Sequence, residues 1–127
     1  MTLALLADDS RVFRACTCEL LRDRGFEVIE AESGDKALQL ARTRRPDLLI
    51  LDALMPILTG FAVLDQLHEK VPDYRPVVFL VTALYKGNRW ASEARKEHGV
   101  HEYLEKPVED RALFAALDRH FPRSAQG

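Results

Sequence analysis

Three short runs of this chain consist almost entirely of apolar residues: LALLA at 3–7, DLLIL at 47–51 and VVFLV at 77–81. Runs that lack polar alternation are typical of parallel strands whose two faces are both covered by helices. Helical patterns of apolar residues lie between the runs, as the crossover connections of a parallel sheet require. The chain is therefore predicted to be an α/β protein.

Five units, each a strand followed by a helix, succeed one another along the chain. The predicted strands cover residues 3–7, 26–31, 47–51, 77–81 and 101–104. The predicted helices cover residues 10–24, 34–44, 59–70, 86–98 and 109–121. The second strand alternates between apolar and polar residues and the fifth is short, so both suit sheet edges. Right-handed crossovers then permit the strand order 2-1-3-4-5. This is an open, doubly wound, five-stranded parallel sheet that binds ligands beyond the carboxyl ends of strands one and three.

Length and composition limit what this chain can be. Its 127 residues suit one domain, expected over residues 1–122, and residues 123–127 are interpreted as a polar tail or the start of a linker. The formal net charge of −2 provides no large basic surface, so we expect no direct contact with nucleic acid. No apolar run approaches the roughly 20 residues of a membrane span, and the features of a signal peptide are missing, which predicts a cytoplasmic location.

The two cysteines, Cys16 and Cys18, fall within the first predicted helix. Because successive helical residues are about 100° apart, the two side chains diverge, and neither a disulfide nor a shared metal site is favoured. The helical wheel groups Cys16 with Val12 and Phe13 on the apolar face, so we expect Cys18 to face solvent.

Chemically active side chains follow the predicted strands at the same edge of the sheet: Asp8, Asp9, Asp52, Thr82 and Lys106. Because neighbouring strands lie roughly 5 Å apart, up to three carboxylates would meet there and repel one another unless a cation intervened. Oxygen ligands without a cysteine cluster suit Mg²⁺ or Mn²⁺. Such a site predicts phosphoryl transfer in which Asp52 attacks phosphorus, Lys106 offsets charge and Thr82 donates to a phosphoryl oxygen.

Four motifs stand at these strand ends: ADDS, LLILDALMPILTG, VTA and YLEKP. In type and order they resemble the receiver domain of two-component response regulators, over residues 3 to about 121. The resemblance implies a CheY-like, flavodoxin-like (βα)5 fold. It also implies a phosphorelay switch that takes a phosphoryl group from a phosphohistidine on a sensor histidine kinase or histidine phosphotransfer protein. Only self-phosphorylation and self-dephosphorylation are expected of it, so it is not interpreted as an enzyme with turnover.

The resemblance also implies a role for individual residues. Asp52 matches the phosphoacceptor. The implied metal ligands are Asp9 directly, Asp8 through water, Asp52, and the backbone carbonyl of Leu54. The signal would then pass to a downstream protein or a fused output domain through helix 4, strand 5 and helix 5, with a homodimer left open.

Five residues match the family's switch and its loops. Thr82 and Lys106 match the pair that binds the phosphoryl group, and Tyr103 matches the aromatic residue that rotates inward behind Thr82 on activation. The Lys106–Pro107 bond matches a cis peptide. Gly60 matches the glycine that lets the loop after strand three turn tightly.

The chain departs from the family pattern at several places. Leu54 and Leu84 are apolar where the family's side chains influence the access of water, and we expect them to slow self-dephosphorylation. The 23 residues between Thr82 and Lys106 make a segment longer than is usual. Trp90, within that segment, could anchor an interface or pack against its own loop.

Two other functions stay open at this point. A Mg²⁺-dependent phosphohydrolase can also form an aspartyl phosphate, but it would need a second acid two residues after the nucleophile, where Leu54 stands. A degenerate receiver would act only as an interaction module. The complete set of Asp8, Asp9, Asp52, Thr82 and Lys106 disfavours that alternative.

Overall fold

Strands and helices alternate strictly in the computed structural model, which describes residues 2–122 of the chain. The strands are β1 (Leu3–Ala7), β2 (Glu27–Ala31), β3 (Leu48–Asp52), β4 (Val77–Thr82) and β5 (Glu102–Glu105). The helices are α1 (Arg11–Asp23), α2 (Gly34–Arg44), α3 (Gly60–Lys70), α4 (Asn88–His98) and α5 (Asp110–His120). All strand pairs are parallel and the order is β2-β1-β3-β4-β5, which confirms the predicted sheet.

The sheet carries an apolar layer on each face. On one face, Leu5, Leu49 and Leu51 pack against side chains of α2 and α3. On the other face, Leu6 and Ile50 pack against side chains of α1 and α5. These five side chains are at most 1% exposed, and burying each contributes roughly 1.5–3 kcal/mol. The unbroken apolar runs therefore follow from strands that alternate between two buried faces.

Short polar contacts define the helix ends. The Ser10 hydroxyl accepts from the backbone N–H of Phe13 at 3.2 Å and so caps α1. Ser33 precedes α2, but its hydroxyl instead donates to the Asp35 carboxylate at 2.6 Å. Gly99 ends α4 with a φ of 70°, a conformation that glycine adopts without strain.

The prediction for α1 was wrong for Val12, Cys16 and Cys18, whereas Phe13 packs against the core as expected. Cys18 is 3% exposed and Cys16 is exposed, while Val12 is 74% exposed. The helix turns Thr17, Cys18 and Leu21 toward the sheet. The helical wheel failed because it counted apolar residues only, whereas the sheet-facing stripe continues through Arg14, whose guanidinium donates to the backbone carbonyl of Asp8 at 2.6 Å.

Two further predictions concern the C-terminal residues and a membrane span. The tail or linker expected at residues 123–127 lies outside the described residues. Among the helices of residues 2–122, none combines the length and the apolar character that a membrane crossing requires.

Candidate functional site

The carboxyl edge of the sheet brings together the acids that the sequence predicted. Asp8 and Asp9 directly follow β1, and Asp52 is the last residue of β3, the neighbouring strand. One oxygen of each carboxylate lies within 4.8 Å of an oxygen of the other two. We call Asp8, Asp9 and Asp52 the acid cup; Asp8 and Asp52 are buried, and Asp9 is exposed.

Lys106 brings a positive charge to the carboxylates of the acid cup. Its Nζ lies 2.7 Å from Oδ2 of Asp8 and 3.5 Å from Oδ2 of Asp52. Burial opposes the charged form of the lysine, but the hydrogen bond to Asp8 and the charge of Asp52 outweigh burial and raise its pKa. The ammonium also lies 4.4 Å from the centre of the Phe13 ring. Lys106 therefore stays charged and sits closest to Asp8.

Asp52 is held in a setting that opposes its ionisation. Burial, followed by the nearby charge of Asp8, raises the pKa of Asp52 to about 6, although Lys106 and the backbone N–H of Leu54 act in the opposite direction. That N–H donates to Oδ1 of Asp52 at 3.1 Å. A cation in the acid cup would remove the repulsion and favour the ionised, nucleophilic carboxylate.

The donors of the acid cup fit a hard divalent cation. Three carboxylates converge without a cysteine or histidine, which suits Mg²⁺ or Mn²⁺. One oxygen of Asp8 is fixed because the backbone N–H of Ser10 donates to its Oδ1 at 2.8 Å. The acid cup is the only such group of three metal-binding side chains among residues 2–122. The Leu54 carbonyl remains a predicted ligand.

Thr82 ends β4 beside the acid cup and is 1% exposed. Its hydroxyl oxygen accepts from the backbone N–H of Leu84 at 3.1 Å and of Tyr85 at 3.0 Å, so the hydroxyl hydrogen stays free to donate elsewhere. Tyr103, on β5, is half-buried and its hydroxyl donates to the backbone carbonyl of Tyr85. Thr82 and Tyr103, the two residues predicted to move on activation, are thus joined through one loop residue, Tyr85.

Comparison with known proteins identifies the family. The family model for the response regulator receiver domain matches residues 4–118. This chain belongs to the response regulator receiver domain family. It is 30% identical over 118 residues to the protein PilH of Pseudomonas aeruginosa, covering 93% of this chain and 96% of PilH.

Two further relatives show how receiver domains occur. The chain is 36% identical over 124 residues to the transcriptional regulatory protein CpxR of Escherichia coli; the match covers 98% of this chain but 51% of CpxR. The chain thus spans about half of CpxR and nearly all of PilH. The crystal structure of the Vibrio cholerae chemotaxis protein CheY4 superposes with a TM-score of 0.82 at 28% identity, over 94% of this chain and 98% of that one. The predicted resemblance is confirmed, and the chain is a signalling domain of two-component response regulators.

Gly60 of this receiver domain has a different role from the one expected. A Cβ atom on Gly60 would lie 2.4 Å from the backbone carbonyl oxygen of Asp52 and 3.1 Å from Cδ1 of Leu80. The position requires glycine because α3 approaches β3 so closely. The left-handed turn in this loop falls instead on Ile57, which has a φ of 75° and is 76% exposed.

Trp90 packs on Tyr85, in the loop that follows Thr82. Its ring lies 4.8 Å from the ring of Tyr85, which in turn lies 6.2 Å from the ring of Phe61 on α3. Trp90 is 37% exposed, so part of its side chain remains open to solvent. Sequence reasoning overlooked Tyr85, although an aromatic residue three positions after Thr82 was a visible signal. The Lys106–Pro107 bond is cis, as the resemblance implied.

Proposed function

We propose that this receiver domain takes a phosphoryl group from a phosphohistidine onto Asp52 and then changes a protein-interaction surface. One observation carries the proposal. The residue at the family's phosphoacceptor position lies within 4.8 Å of two other carboxylates and 3.5 Å from an ammonium group. No simple structural role accounts for three acids brought together at a sheet edge, because their mutual repulsion destabilises the fold.

The acid cup and the backbone carbonyl of Leu54 would hold Mg²⁺ or Mn²⁺. When bound, the ion offsets the charge of the carboxylates and of the phosphoryl oxygens during transfer. The chain prepares this site before any ion arrives, since backbone N–H groups already fix Oδ1 of Asp8 and Oδ1 of Asp52.

In the transfer step, an oxygen of the ionised Asp52 carboxylate attacks phosphorus. The bond between phosphorus and the donor's imidazole nitrogen breaks, and its electron pair stays on that nitrogen. Oδ1 of Asp52 accepts from Leu54, whereas Oδ2 faces Lys106. The ammonium of Lys106 is close enough to follow the charge as it moves from the carboxylate to the new phosphoryl oxygens.

The Thr82 hydroxyl would then donate to a phosphoryl oxygen. Any movement of Thr82 toward the phosphoryl group lengthens its contacts with the backbone N–H groups of Leu84 and Tyr85. The Tyr103 side chain would then have to move as well, because its hydroxyl donates a hydrogen bond to the backbone carbonyl of Tyr85. The effect would reach α4 through Trp90 and β5 through Tyr103. The output surface that the resemblance implies comprises these two elements and α5.

The proposed partners follow from the family. The phosphodonor would be a sensor histidine kinase or a histidine phosphotransfer protein. The signal would pass to a separate protein or to a fused output domain. A homodimer is a further arrangement. The match to half of CpxR, a transcriptional regulatory protein, supports a fused output domain, whereas the match to 96% of PilH supports a separate partner. We place the receiver domain at residues 1–122, with 123–127 as a tail or linker, in the cytoplasm without direct contact with nucleic acid or membrane.

The test is the mass of the intact protein after incubation with acetyl phosphate, with and without Mg²⁺. The wild type should gain one phosphoryl group only with Mg²⁺, and Asp52→Asn should gain none. Asp118→Asn is the matched control, because Asp118 is an exposed aspartate paired with Arg24 on another part of the surface. Consumption of many equivalents of acetyl phosphate would indicate a phosphohydrolase, and no gain of mass in the wild type would indicate a degenerate receiver.

A further inference from the structure

A cavity of about 440 Å³ opens at the amino-terminal edge of the sheet, on the side opposite the acid cup. It lies between the first residues of β3 and β4, the last turn of α3 and the segment that joins α4 to β5. Leu49, Leu67 and Val78 form its apolar floor. Small-molecule sites typically measure roughly 300–1,000 Å³ and have an apolar lining with few polar groups. The cavity has both properties.

The polar groups around this cavity are basic or neutral. Arg75, His68 and His101 contribute to the wall, and the described lining contains no aspartate or glutamate. The guanidinium of Arg75 donates to the backbone carbonyl of Pro72 and forms no ion pair with a carboxylate among residues 2–122. A guanidinium has five N–H donors, so Arg75 retains donors for an anion.

His101 lines the same cavity, and one contact fixes its tautomer. Its Nδ1 accepts from the backbone N–H of Val78 at 3.0 Å, which leaves Nε2 to carry the hydrogen of the neutral ring. Burial, followed by the neighbouring charge of His120, lowers the pKa of His101, so the ring is neutral at physiological pH. Arg75 supplies a permanent positive charge in the wall, and its guanidinium can pair with the two oxygens of a carboxylate.

We propose that this cavity binds a small monocarboxylate with an aromatic or aliphatic body, the carboxylate at Arg75 and the body on the apolar floor. The carboxylate geometry matches the planar fork of a guanidinium. Burial of the body against Leu49, Leu67 and Val78 supplies the apolar part of the affinity. The lining of the cavity shares no residue with the acid cup, so the unphosphorylated protein is the form to test.

The experiment is a titration of the unphosphorylated, ¹⁵N-labelled protein with 4-phenylbutyrate, followed by two-dimensional NMR. Saturable shifts should appear at residues around the cavity, such as Gly99 and His101, with a dissociation constant of about 1 mM or tighter. The neutral amide, 4-phenylbutyramide, should bind about tenfold more weakly because it lacks the charge that Arg75 recognises.

Two variants complete the test. Arg75→Gln should reproduce the loss of about tenfold in affinity for the carboxylate. Arg111→Gln should bind like the wild type, because Arg111 is 92% exposed at the other end of the molecule. Equal affinity for the acid and the amide, full affinity in Arg75→Gln, or shifts confined to the acid cup would each overturn the proposal. The amide comparison uses the wild type, so it remains decisive even if a variant folds poorly.

Discussion

Replacement of Gly60 by alanine tests how closely the position of Asp52 depends on the packing of α3. The new Cβ would lie 2.4 Å from the backbone carbonyl oxygen of Asp52, about 1 Å short of the 3.4 Å at which ordinary contacts begin. The carbonyl is a backbone atom of β3, the central strand, so it cannot yield as the end of a flexible side chain could. The first turn of α3 or the end of β3 must therefore shift by about 1 Å, and Asp52 is at that end.

The shift should affect both stability and chemistry. Overpacking of this kind lowers the free energy of unfolding by about 1–3 kcal/mol, out of a total of about 5–15 kcal/mol for a domain. A displacement of about 1 Å at a reacting group can slow a reaction roughly 100-fold. We expect Gly60→Ala to remain folded and to gain phosphate from acetyl phosphate roughly 10- to 100-fold more slowly than the wild type.

Gly99→Ala is the matched control. Gly99 has a φ of 70°, so alanine there costs about 1–2 kcal/mol of strain, but its Cβ would meet nothing closer than 3.4 Å. Urea unfolding should therefore show similar losses for both variants, while the initial rate of mass gain separates them. The reasoning is refuted if Gly60→Ala is phosphorylated as fast as the wild type, or if Gly99→Ala is slowed equally.

Three other predictions use separate features. Leu84→Glu should shorten the lifetime of the phosphorylated protein, measured by mass after removal of the donor; an unchanged lifetime, or one of only seconds in the wild type, would contradict the proposed exclusion of water. Tyr74→Phe removes the hydroxyl that donates to the buried carbonyl of Pro46 and should cost about 1–3 kcal/mol in urea unfolding, whereas an unchanged midpoint would show that water replaces it. Burial lowers the pKa of His101 below 6.5 in the folded state, so the unfolded chain binds more protons as the pH falls through that range. The free energy of unfolding should therefore decrease as the pH decreases, and His101→Gln should make this part of the pH profile flatter. An equally steep profile in the variant would exclude His101 as the cause.

The fold could be predicted from the sequence because its signals are local and repeated. Strands such as LALLA and VVFLV are apolar at every position since they are buried on both faces, and that pattern alone indicates a parallel sheet. The strand order followed from two edge strands, one alternating and one short, and from the right-handed crossovers between parallel strands. The convergence of Asp8 and Asp52 followed from the order, because the carboxyl ends of neighbouring parallel strands must meet.

What could not be predicted depends on contacts between distant parts of the chain. The buried face of α1 includes Cys18 and the stem of Arg14. Arg14 lies on that face because its guanidinium contacts Glu30 and the backbone carbonyl of Asp8, which are contacts between separate elements. The need for glycine at position 60 comes from the approach of α3 to Asp52, which no local pattern contains. The sequence also could not show that Lys106 lies closer to Asp8, at 2.7 Å, than to Asp52, at 3.5 Å.

The central claim is that Asp52 itself becomes phosphorylated, and chemical trapping of the acyl phosphate tests it most directly. After incubation with acetyl phosphate and Mg²⁺, borohydride reduces an aspartyl phosphate to homoserine, which peptide mass spectrometry locates. The account predicts homoserine at position 52 only when donor and Mg²⁺ are both present. Homoserine at Asp8 or Asp9 instead, or a phosphorylated protein without any reducible acyl phosphate, would contradict it.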